Sequence, residues 1–233
     1  MSASPAYRKS RGAPAHPWND PAGAAGPVVS QCAFPAPPIA AMTVLLVGLA
    51  LFLGIHSVRI FADGLRTSGV ASMGLLGWKA VYSVISIAGL VFIVYGYGLT
   101  REAPIDLWNP PRFTRHLASL LTLPVFILIA AAYVPGTHIK AALKHPMILG
   151  VKAWALAHLL SNGRLGDVVL FGAFLAWAIL DYRAARLRDR QQGTTYPARG
   201  FVRDIVVVVV GLAAWAVFAM SLHGTLIGVR PFG

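Results

Sequence analysis

Two histidines stand inside apolar runs of this chain, and they are the residues best placed to do chemistry. His56 lies in MTVLLVGLALFLGIHSVRIFA and His158 in HPMILGVKAWALAHLLSNG. An ionisable side chain at membrane depth needs a partner or a function. Neutral imidazole is a good iron ligand, and haem b held between helices by histidine is the chemistry this setting suits. Arg59 follows His56 at i+3 and Asp63 at i+7, on roughly one helical face, where Arg59 could meet a haem propionate through a charge-assisted bond. Trp154 precedes His158 by one turn and Asn162 follows by one turn, so an aromatic ring, an imidazole and an amide share a face. Such a face suits a flat apolar cofactor, and it equally suits a hydrogen-bonded network between helices. The residues alone leave both readings open.

Ligation of one iron by both histidines makes a geometric demand. Two Fe–N bonds put the nitrogens about 4 Å apart. Each histidine comes late in its run, and the two runs are antiparallel, which leaves a depth difference of about 10 Å to be closed. Other residues form a second tier of pocket candidates. His145-Pro146 opens the run that holds His158, with Lys152 on the same face. Lys152 is a cation in an apolar helix and must snorkel, pair with an acid or meet an anionic group. Lys79, Tyr82 and Ser83 follow i, i+3, i+4 spacing and read as a polar wall or an interface anchor. His223 closes the last run, as an alternative ligand or a polar pocket residue, while His116 and His138 lie beside loops. The single cysteine, Cys32, cannot build a thiolate zinc site or an iron–sulfur cluster. No phosphate loop, dinucleotide fingerprint or serine triad is present.

The elements that must position these residues are transmembrane helices. Of 233 residues 57% are hydrophobic and 12% charged, with mean hydropathy +0.66. A soluble domain carries about 25% charged residues, so this deficit points to the bilayer. The runs are continuous rather than alternating, which excludes a β-barrel. The fold expected is an all-α polytopic bundle of about six helices over 43–62, 76–99, 116–134, 146–162, 166–182 and 205–223. The fourth is short, and Pro124 is a candidate kink in the third. Gly89, Gly96 and Gly172 permit close helix approach. The formal charge of +12 sits between the runs, where it meets headgroups rather than nucleic acid. The basic segment 181–204 then faces the cytoplasm, with both termini outside. Residues 1–41, rich in Pro, Ala and Gly, read as a disordered tail ahead of a membrane domain spanning 42–233, with Met42 as the expected native start. Peptides from residues 1–41 in the mature protein would rule that start out.

Four segments carry a family resemblance: LALFLGIHSVRI, GWKAVYS, KHPMILGVKAWALAHLLSNG with Asp167 just after it, and LHGTLIGV. From Met42 onward the chain resembles the NnrU family of integral membrane proteins. That resemblance implies a link to denitrification, through the expression or function of nitrite and nitric oxide reductases. The family is similar to the 15-cis-zeta-carotene isomerase of plants and cyanobacteria, a membrane enzyme that uses haem b. There, redox change at the haem is thought to free a histidine ligand and let iron touch the polyene. The resemblance places that enzyme's haem ligands on His56 and His158, and its His-Pro histidine on His145, a pocket or structural residue. Lys144 stands where arginine is usual, keeping the charge but losing bidentate pairing. It implies an inner-membrane protein with a hydrophobic polyene substrate or respiratory reductase components as partners. A non-catalytic membrane factor is the main alternative. The His-Pro-x-x-x-Gly segment offers a third reading, a membrane methyltransferase of the isoprenylcysteine type.

Overall fold

The computed structural model describes residues 38–232. The elements in chain order are α1 (Pro38–His56), α2 (Val58–Phe61), α3 (Asp63–Glu102), α4 (Phe113–Tyr133), α5 (His138–Leu143), α6 (Pro146–Ser161), α7 (Leu165–Gln192), α8 (Val202–Val217), a π-helical turn (Phe218–Leu222) and α9 (His223–Ile227). Among the described residues there is no strand, only a single antiparallel bridge between Asp106 and Arg164. The all-α bundle is therefore as the hydropathy pattern implies. Five helices are long and apolar enough to cross a membrane, and α6 is a shorter sixth apolar helix. At 16 residues it reaches about 24 Å, the short fourth element expected. The chain is a multi-pass membrane protein. Its outward faces carry Leu76, Val84, Ile87, Val91 and Val94, all well exposed, as lipid-facing positions must be where tails replace water.

The helices pack in the order α3, α1, α7, α6, α4, α8. Backbones touch where glycine allows it. A Cβ on Gly48 would strike the backbone of Phe92 and Ile93, one on Gly89 the backbone of Phe52, and one on Gly96 the backbone of Leu45. This locks α1 against α3 over most of its length. Gly211 brings α8 against Ile127 of α4 in the same way. Gly172, by contrast, faces open space, so the close approach expected there is absent. Between the α1–α3 pair and the α6–α7 pair the filling is side chains: Leu45, Leu49, Ile93, Ala155, Leu170 and Phe171 form the core, with Phe52, Trp154 and Phe174 packed on it.

Several boundaries differ from the hydropathy reading. α1 starts at Pro38, because proline is well tolerated in a first turn, and Ala41 is already buried. The rest of the expected tail, residues 1–37, lies outside the described residues. The run 43–62 is not one helix: α1 ends at His56, Ser57 intervenes, and the backbone turns at Ala62 (φ −145°, ψ 49°). α3 includes a segment ahead of the expected span, bent at Gly74 (φ 75°, ψ 168°), a left-handed conformation that glycine adopts without strain. α4 runs through Pro124 without interruption. α7 continues ten residues past the expected end, to Gln192, where Gly193 closes it in the left-handed region.

Hydrogen bonds between elements define two ends. At one, Arg188 donates to the Arg59 carbonyl and Arg203 to the Pro135 carbonyl. At the other, Leu107 donates to Gly163, Leu165 to Ile105, and Arg101 to Ile227. The first end holds the basic α7–α8 segment together with Arg59, Lys140 and Lys144. The second holds the start of α1 and the C-terminal turn.

Candidate functional site

The seam between α1–α3 and α6–α7 holds both buried-run histidines. His56 sits at the last turn of α1, and its Nδ1–H donates to the Phe52 carbonyl at 2.6 Å. His158 sits in the last turn of α6, and its Nδ1–H donates to the Trp154 carbonyl at 2.9 Å. A carbonyl can only accept, so each imidazole is fixed with its proton on Nδ1 and its lone pair on Nε2. That is how metal-ligating histidines are oriented, the second nitrogen being held by a carbonyl or carboxylate.

Aromatic rings line both positions. His56 is stacked on Phe52 (4.2 Å between ring centres), tilted against Tyr82 (5.1 Å) and edge-on to Trp177 (6.0 Å). His158 is stacked on Phe171 (4.5 Å) and tilted against Trp154 (5.3 Å). Phe174 lies between, touching Phe52 at 5.8 Å and Trp154 at 5.5 Å. α7 therefore serves as a ruler. His158 is level with Phe171 and His56 with Trp177, and that length of helix rises about 9 Å. One iron held by both histidines would need their Nε2 atoms about 4 Å apart, so the two side chains would have to bridge that rise. Each histidine taken singly has the donor chemistry and the apolar walls that haem needs.

A buried donor in the seam has no partner among the described residues. The Trp177 indole Nε1–H is buried and unbonded among the described residues. It sits beside His56, and a buried donor left unpaired is costly, so an acceptor at this position would gain a hydrogen bond. His158 lies nearer the opposite end, where Tyr97 O–H donates to Asp167 Oδ1 at 2.6 Å. Asp167 is itself buried, and its Oδ2 accepts from the Arg164 backbone N–H.

The other expected residues distribute unevenly. Asn162 leaves the α6 face and caps its end, Nδ2 donating to the His158 carbonyl at 2.9 Å. Arg59 points outward beside Asp63 (3.6 Å), both half exposed, because the helix breaks between it and His56. Lys79 and Ser83 are exposed, so of the expected polar wall only Tyr82 reaches the seam. Lys152 lies over the Tyr182 ring at 4.7 Å, a cation–π solution to a cation in an apolar helix. His223 follows the π-helical turn and donates from Nδ1 to the Val229 carbonyl at 2.6 Å. His116 is exposed, and His138 binds Asp204 at 2.7 Å.

His145 belongs to a separate cluster at the basic end. Its Nε2 lies 2.9 Å from Asp189 Oδ2, which accepts the hydrogen bond, so that nitrogen is occupied. Tyr196 O–H donates to Asp189 Oδ1 at 3.0 Å, and Arg186 approaches at 3.4 Å. Burial and the bond to Asp189 push the Tyr196 hydroxyl above the usual tyrosine pKa, so it remains a donor at neutral pH. Lys144, just before His145, has φ 67°, an uncommon conformation for a residue with a side chain. Among the described residues no group of three or more His, Cys, Asp or Glu side chains could hold a metal ion.

Reasoning from sequence missed Trp177, Tyr97, Asp189 and Tyr196. The signal that could have found Asp189 is a carboxylate continuing the apolar helix beyond its hydrophobic run. A family model described as NnrU protein matches residues 44–231. No curated protein and no solved structure matches this chain.

Proposed function

The chain belongs to the NnrU family, and from that membership we propose a multi-pass inner-membrane protein that binds haem b in the α1–α7 seam. Its chemistry is redox or redox-dependent isomerisation of a hydrophobic substrate such as a polyene. The observation that carries this reading is the shared Nδ1 lock on His56 and His158, which leaves two Nε2 lone pairs among aromatic rings. When bound, haem supplies a one-electron centre. His158 is the ligand assigned here, since it is enclosed by Phe171 and Trp154. His56, whose neighbour Trp177 lies about 9 Å of helix beyond Phe171, is the second proposed ligand, with Tyr82 and the unpartnered Trp177 N–H lining it. Under the positive-inside rule the basic end is cytoplasmic, which puts Pro38 and the C-terminal turn on the periplasmic side.

The test is an optical spectrum of detergent-purified protein, oxidised and dithionite-reduced, with pyridine haemochrome analysis of wild type, His158→Ala, His56→Ala and His223→Ala. A b-type spectrum that disappears in His158→Ala supports the reading. Stoichiometric absence of haem, in protein matured with ample haem, removes it. The alternative is then a non-catalytic membrane factor serving nitrite and nitric oxide reductases, with the histidines as structural hydrogen-bonding residues.

A further inference from the structure

A cavity of about 200 Å³ opens at the basic end, away from the histidine seam, lined by Gly136, Thr137, Lys140, Thr195, Tyr196 and Arg199 among others. No acidic residue lines it. The nearby carboxylates are already engaged: Asp189 with His145, Arg186 and Tyr196, and Asp204 with His138 and the backbone N–H groups of His138 and Ile139. The lining cations are not neutralised. Neither Lys140 nor Arg199 takes part in an ion pair among the described residues, all of whose ion pairs involve other groups. Lys140 Nζ spends one donor on the Ala132 carbonyl at 2.8 Å and keeps two. Thr137 Oγ1 accepts from the Lys140 backbone N–H, so its own proton is left to donate. Lys144 adds a further positive charge 5.6 Å from the Tyr196 ring.

The depth of the cavity matters as much as its charge. It lies where α4 ends and α8 begins. Tyr133 closes α4 and Phe201 precedes α8, both largely exposed, and exposed aromatics at helix ends mark the headgroup level. Basic pockets between helices on the cytoplasmic side are suited to anionic headgroups.

We propose that this cavity is a phosphate site, which takes the phosphodiester of an anionic phospholipid or a free phosphate anion between Lys140 and Arg199. The site is independent of haem binding. Native mass spectrometry of the full detergent-purified chain, titrated with dioleoylphosphatidylglycerol or dioleoylphosphatidylcholine, tests the lipid source. Thermal unfolding in inorganic phosphate against chloride at matched ionic strength tests the free anion. Phosphatidylglycerol occupancy should fall about tenfold in Lys140→Gln/Arg199→Gln, each charge near the surface being worth about a fivefold change at most. It should be unchanged in Arg112→Gln/Arg115→Gln at the opposite end. Arg199→Lys should recover part of the loss, separating charge from misfolding. Stabilisation by phosphate in wild type, lost in the double variant, identifies the free anion as the ligand. Equal binding of the two lipids in wild type, together with no phosphate response, overturns the proposal. So does a double variant that matches wild type in both assays.

Discussion

The two histidine levels of the seam are built on the same local device and then treated differently. His56 and His158 each close a helix and each bond Nδ1 to the carbonyl four residues back. Around His158 the polar groups other than its Nε2 are satisfied: Asn162 caps the helix, and Tyr97 holds the buried Asp167. Around His56 they are not. The Tyr82 hydroxyl makes no hydrogen bond among the described residues, the Trp177 N–H has no acceptor, and the helix ends in a break at Ser57. One level keeps only the imidazole Nε2 open, and the other holds an unspent buried donor as well. Unspent donors at a buried position are where a ligand or a moving element gains most.

The largest effect that could break this contrast is on cofactor content. His158→Ala should abolish b-type absorbance, whereas His56→Ala should retain most of it with an altered spectrum; equal losses in the pyridine haemochrome assay would mean that both histidines hold one iron. Next comes the same deletion made at both levels. Tyr97→Phe should cost about 1–2 kcal/mol by stranding Asp167, while Tyr82→Phe should leave unfolding in detergent nearly unchanged. A matching loss in Tyr82→Phe would reveal a partner for its hydroxyl. Trp177→Phe should be neutral or slightly stabilising in ligand-free protein, because it removes an unsatisfied buried donor. Clear destabilisation would place an acceptor at Nε1 already. The smallest difference is expected at the helix ends: Asn162→Ala should cost about 0.5–1 kcal/mol and Ser57→Ala close to nothing, read from the same unfolding midpoints.

Much of the architecture was legible because hydropathy responds to the same quantity that decides membrane insertion. The short α6, the basic end and the two histidines in apolar runs all follow from it. The extension of α7 did not, because residues after Asp181 carry the charge density of a loop. In the structure Arg186 pairs with Asp189 and Arg188 with Asp181, so charges support the helix instead of ending it. Spacing also misled where one helix was assumed. Lys79, Tyr82 and Ser83 share a nominal face, yet only Tyr82 turns toward His56, because the close α1–α3 contact at Gly89 fixes the rotation of α3. The Asp189–His145 pair joins the far ends of the adjacent helices α6 and α7, 44 residues apart in sequence, and nothing local in either segment names the other.

The α1–α3 contact has a mechanical consequence. Gly48, Gly89 and Gly96 put main chain against main chain, so α1 and α3 move as one stiff plank. Across the seam the neighbours are rings that turn about single bonds. A guest arriving sideways from the hydrocarbon could wedge the plank outward by reorienting Phe52, Phe174 and Trp177, with every helical hydrogen bond left intact. The fastenings lie at the two rims, Arg188 to Arg59 at one, and at the other Tyr97 to Asp167 together with the backbone bonds of Leu107 to Gly163 and Leu165 to Ile105, so the first rim is the lighter latch and the second the hinge.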